Sequence, residues 1–77
     1  MSFKDIVAGD TVKRLLAGVI PMDLRVTSID ADFIYCGAPG TGWKFDRATG
    51  MEVDEELGWG PQFGITGSYL ERPERPN

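Results

Sequence analysis

Histidine is missing altogether from this 77-residue chain, and cysteine occurs once, as Cys36. The first absence removes the commonest general base and the commonest transition-metal ligand. Serine–histidine and cysteine–histidine nucleophile systems are therefore excluded, and so are zinc sites built from cysteine and histidine. The second absence leaves no internal disulfide, although a small secreted domain ordinarily carries several, so the lone thiol favours a reducing compartment. Long apolar runs are lacking too. Residues 15–20 form the longest stretch of apolar residues and glycine, far short of the ~20 residues of a membrane span. Residues 1–5 lack the charged-then-apolar run of a signal peptide. Together these features predict a cytoplasmic protein, neither exported nor inserted in a membrane.

Positive charge is also scarce: 8 basic side chains face 12 acidic ones, a net charge of −4. A nucleic-acid binder usually displays a basic patch. Only Lys13, Arg14 and Arg25 are placed to cluster, so nucleic acid and anionic membranes are disfavoured as partners. The length suits one domain, and a domain of this size buries only about 60% of the surface its unfolded chain exposes.

Motifs for cofactors are likewise absent. The glycine-rich stretch 37–42 lacks a following Gly-Lys-Ser/Thr and opens no evident helix, so it is no phosphate cradle. Asp46, Glu52, Asp54, Glu55 and Glu56 offer oxygen ligands for a hard cation, but without the spacing or glycine of a calcium loop. They read as a solvated acidic edge. Two of them could serve as a glycosidase pair, yet so short a chain has little room for a substrate cleft. Cys36 has no neighbouring cation to lower its pKa and reads as a buried, inert thiol. The expectation is therefore no enzyme, no cofactor and no metal.

What the chain does have is punctuation. Ten glycines and five prolines cut it into pieces that suit short strands better than long helices. Residues 11–16 remain ambiguous on pattern alone. Val12, Leu15, Leu16 and Val19 fit a helical stripe with Asp10 as cap and Pro21 as stop, whereas Gly9-Asp10 reads as a turn. Met22, Leu24 and Val26 alternate with Asp23, Arg25 and Thr27, the period of a strand with one wet face. The phase slips at Ser28-Ile29, where a bulge or the strand end is expected. Asp30-Ala31-Asp32 is a turn signal, and residues 33–36 form a short apolar strand, giving a hairpin. Residues 43–53 predict a second hairpin. Gly50 is left-handed at the end of its turn, Arg47 lies opposite Met51, Phe45 and Val53 meet in the core, and Lys44 meets Asp54 outside. Acidic residues opening 54–58 suggest one helical turn. Residues 58–67 read as a loop pinned by aromatics, 65–70 as a last strand, and the charged, proline-rich 71–77 as a frayed tail.

Gly9-Asp10-Thr11-Val12-Lys13-Arg14, Gly18, Pro21-Met22, Val26, Cys36 and Trp43 resemble a group of small uncharacterised bacterial proteins with a glycine-aspartate-x-valine opening. The resemblance implies a small SH3-like barrel, and hence a strand over Thr11 to Leu16. Ala17-Gly18 stands where the group has paired glycines, and the group brings no established activity. Further on, Trp59-Gly60-Pro61 with residues 64–71 is similar to the last part of eukaryotic SH3 domains. There a tryptophan and a tyrosine line a groove for proline-rich peptides. Gly67 replaces the proline characteristic of that motif.

The predicted fold is thus mostly β: a small SH3-like barrel of about five to six short antiparallel strands, with residues 1–70 as the domain and 71–77 as a flexible tail. The predicted function is a non-catalytic protein- or peptide-binding module with Trp59, Phe63 and Tyr69 as its face. The alternative is a small-ligand or nucleic-acid binding barrel using Lys13, Arg14 and Arg25. The sequence does not specify an oligomeric state.

Overall fold

The computed structural model describes residues 3–38 and 41–71. Five strands form one antiparallel sheet: β1 (Thr11–Leu16), β2 (Ile20–Ile29), β3 (Phe33–Cys36), β4 (Trp43–Asp46) and β5 (Ser68–Leu70). Their spatial order is β4-β3-β2-β1-β5. The ten-residue β2 serves both halves of the sheet. Residues 20–25 pair with β1 and residues 26–29 pair with β3. The register shifts between Val26 and Ser28, leaving Thr27 bulged, one residue earlier than the alternation suggested. A bulge bends and twists a strand, which lets β2 turn from one half of the sheet into the other. Residues 50–53 then bridge β4 and β5. Phe45 lies opposite Glu52 and Met51 opposite Tyr69, while Glu52 N–H and Leu70 N–H donate to Ser68 and Gly50 carbonyls. The result is a nearly closed SH3-like barrel.

The ambiguity over Thr11–Leu16 resolves as strand. Its alternation carries Val12 and Arg14 inward and Thr11 and Lys13 outward. The core is Val12, Leu24, Val26, Ile34, Cys36, Phe45 and Leu70, with Phe3 and Ile6 of the N-terminal segment packed against it. Phe3 lies so close to Gly50 that a Cβ there would sit 2.5 Å from its ring, and Gly50 has φ of +78°. Glycine at this turn is therefore required twice over.

Two expected details differ. In the 43–53 hairpin Phe45 pairs with Glu52 rather than Val53. Asp46 organises a longer loop, because its Oδ2 accepts from Thr49 N–H and from Thr49 Oγ, both at 2.8 Å. Gly50 N–H and Asp46 N–H then bond Asp46 and Met51 carbonyls, so the turn begins one residue earlier in the chain. Residues 54–58 form a hydrogen-bonded turn rather than a helix. Asp54 and Trp59 exchange both backbone bonds across it, and Asp54 Oδ1 accepts from Glu56 and Leu57 N–H. The helical turns are 3-10 segments at Phe3–Asp5 and Pro61–Phe63. Of the expected tail, Glu71 donates its N–H to Lys13 carbonyl at 2.8 Å; residues 72–77 lie outside the described residues. None of the described helices is long and apolar enough to cross a membrane.

Candidate functional site

Trp59, Phe63 and Tyr69 occupy three different local settings. Trp59 is half-buried, and its indole covers Gly67 so closely that a Cβ at Gly67 would lie 2.2 Å from Cζ2. It is a packing residue as well as a surface one. Phe63 ends the Pro61–Phe63 turn and is 49% exposed. The backbone holds it there: Phe63 N–H donates to Gly60 carbonyl and Gly60 N–H to Ile65 carbonyl. Tyr69 projects from β5 between Leu15 and Met51 and is 41% exposed, its hydroxyl beside Gly18. No ring contact joins the three among the described residues. Trp59, through Gly67, and Tyr69, through Gly18, both lie near the β1–β2 hairpin. Ala17 N–H donates to Gly67 carbonyl at 2.8 Å, which draws the β1–β2 hairpin tip against the strand lead-in that Trp59 covers. Leu57, Phe63 and Ile65 of the loop and Val19 and Ile20 of the hairpin are all exposed. Exposed aliphatic residues were not among the sequence-level candidates, because period and composition do not reveal which apolar side chains lack cover.

Arg14, Lys13 and Arg25 do not form a group. Lys13 and Arg25 are exposed, and Lys13 lies 3.9 Å from Asp23 on the outer face. Arg14 points to the opposite face, where it is buried. Its Nε donates to Glu52 Oε1 at 2.7 Å, and Ser68 Oγ donates to the same oxygen. The guanidinium lies 5.7 Å from the Trp43 ring centroid. Arg14 is on β1, Glu52 in the closing segment and Ser68 on β5, so one carboxylate oxygen ties together the three pieces that shut the barrel. Glu52 is thus not part of a solvated acidic edge. Of the remaining acids, Asp46 and Asp54 hold turns and Glu55 and Glu56 are exposed, and among the described residues no group of three or more His, Cys, Asp or Glu side chains could hold a metal ion.

A second polar network fixes the β2–β3 turn. Asp30 Oδ1 accepts from Asp32 and Phe33 N–H, and Oδ2 accepts from Tyr35 Oη at 2.9 Å. These bonds, the backbone ones foremost, lower the Asp30 pKa, and the same hydroxyl contact raises that of Tyr35. Arg47 braces this turn against the N-terminal segment, donating to Asp30 and Lys4 carbonyls at 2.7 and 2.8 Å. Cys36 is buried, which pushes its thiol up to about 11.

An open groove of about 290 Å³ lies beside the bulge, lined by Thr27, Ser28, Tyr35, Gly37, Trp43 and Lys44 among others. Ser28, Tyr35 and Lys44 form a row across β2, β3 and β4. Thr27 Oγ donates to Tyr35 and Gly37 carbonyls, anchoring the bulge. In comparisons with protein-family models, curated proteins and solved structures, nothing matches this chain.

Proposed function

We propose that this protein is a small non-catalytic interaction module that binds another protein or peptide through a face bearing Trp59, Phe63 and Tyr69. One observation carries the reading: the β1–β2 tip and the loop after β4, remote in sequence, are joined by the Ala17–Gly67 backbone bond, and they leave Val19, Ile20, Leu57, Phe63 and Ile65 exposed. Exposed apolar side chains mark interaction sites where they form a contiguous surface. Trp59 supplies a rigid flank, and Tyr69 adds a hydroxyl beside an apolar ring. The reading also places the module in the cytoplasm, in keeping with its single buried thiol.

The test separates binding from folding. A Phe63→Ser/Ile65→Ser double variant removes exposed side chains and should keep the wild-type circular dichroism spectrum and melting profile. Affinity capture from host lysate, followed by titration of the purified captured protein, should show at least about a tenfold loss of affinity, the scale of a modest interface anchor. Undiminished binding by this variant would remove the proposed face. Trp59→Ala is a poorer probe because it uncovers Gly67 and strips packing from the domain.

A further inference from the structure

We propose that the groove at the β2 bulge is a second binding site, independent of the proposed interaction face, for a small planar molecule carrying an anionic group. Three observations support it.

The first is that the groove is built by particular backbone features. Thr27 bulges out of β2 and is pinned by two hydrogen bonds. Gly37 has φ of +78°, and a Cβ there would lie 3.3 Å from the Trp43 ring. A Cβ on Gly42 would lie 2.0 Å from the Cys36 carbonyl oxygen. Side chains at either glycine would close or distort the wall. Bulges and close backbone approaches of this kind recur next to binding sites.

The second is the chemistry of the wall. Trp43 gives an aromatic surface, with the Arg14 guanidinium 5.7 Å from its ring centroid. Lys44 also lines the groove, and its ammonium lies 4.7 Å from the Phe33 ring centroid. No described residue accepts a hydrogen bond from Trp43 Nε1 or pairs with Ser28 Oγ, and neither atom is sealed from solvent. Two donors thus lack a partner, and the Lys44 cation, set over an aromatic ring, has no carboxylate partner among the described residues. Such a set selects an acceptor-rich, negatively charged ligand.

The third is size. About 290 Å³ sits at the small end of the range for small-molecule sites, roughly 300–1,000 Å³. A flat ring against Trp43 with one carboxylate fits that volume better than a peptide does.

The experiment uses nitrogen-15-labelled protein at neutral pH, with 2-naphthoate as the anionic probe and 2-naphthalenemethanol as its neutral counterpart. The expected result is saturable shift of the Trp43 side-chain N–H and of the Ser28, Gly37 and Gly42 amides with 2-naphthoate. The neutral probe should bind at least about threefold more weakly, the effect of one partly exposed charge. Lys44→Gln should remove that preference, and Ser28→Trp should fill the groove and abolish binding with an unchanged circular dichroism spectrum. Shifts centred on the Trp59 side chain, equal affinity for the two probes, no saturation at Trp43, or full affinity in folded Ser28→Trp would each overturn the assignment.

Discussion

Cys36 shows how burial sets the chemistry of a single atom. Water is excluded from its thiol, the charged form is penalised, and the pKa rises from 9.0 to about 11. The folded pKa lies above the unfolded one, so the neutral thiol favours folding. That contribution is complete below pH 9 and is lost as pH climbs through about 11. Thiolate at mildly alkaline pH is scarcer than in the unfolded chain by about a hundredfold, the factor for two pKa units. A thiol-reactive chromophore should accordingly label native protein at least that much more slowly than protein in denaturant. Equal rates would show that Cys36 is accessible. Cys36 was legible as inert because no cation neighbours it in sequence. Glu52 was not legible: nothing near it along the chain announces a buried partner, and Arg14 lies 38 residues away.

Among the elements, the loop after β4 rests on one contact between an indole and a backbone. Gly67 has no left-handed backbone to protect, so its need for glycine is purely spatial: a Cβ would sit 2.2 to 2.8 Å from three Trp59 ring atoms. Gly67→Ala should cost about 1–3 kcal/mol, the range for overpacking. Gly58→Ala has open space around it and only a positive φ to contend with, so it should cost about 1 kcal/mol. Urea denaturation of both variants checks the order, and a smaller effect at Gly67 would mean that Trp59 swings away. The strands themselves were largely readable. The period-two pattern of Met22, Leu24 and Val26 located β2, and Asp30 with its acceptor oxygens located the following turn. Register was harder. The 43–53 hairpin was displaced by one position because Asp46 bonds Thr49 in a four-residue loop. That single step converts Glu52 from an outward acid into the inward partner of Arg14.

For the whole molecule, the buried Arg14–Glu52–Ser68 cluster decides whether the barrel closes. Removing one partner of a buried ion pair strands the other, a loss of roughly 3–5 kcal/mol. A domain of this length has roughly 4–12 kcal/mol in total, on the basis of about 0.05–0.15 kcal/mol per residue. Glu52→Leu alone should therefore sit close to its unfolding transition, whereas Arg14→Met with Glu52→Leu should recover much of the loss. Thermal melts of the two variants provide the check, and a double variant less stable than the single one would show that the pair is favourable in itself. Short strands were visible from turn spacing and strand pattern, and the SH3-like barrel was implied by the resemblance of the N-terminal residues, but the exposed apolar residues and the groove were not legible. Both depend on which surfaces tertiary packing leaves uncovered.

The open stretch of β2 has a different consequence. Past Cys36, β3 departs and Arg25 carbonyl takes the last bond from Gly37 N–H. Alternation directs the backbone groups of positions 21 and 23 to the same side, where no described strand pairs with them. Position 21 is Pro21, which has no N–H, and position 23 is Asp23. Two copies approaching edge to edge would find one donor missing and two carboxylates opposed. This edge is therefore a poor template for a strand of a second copy.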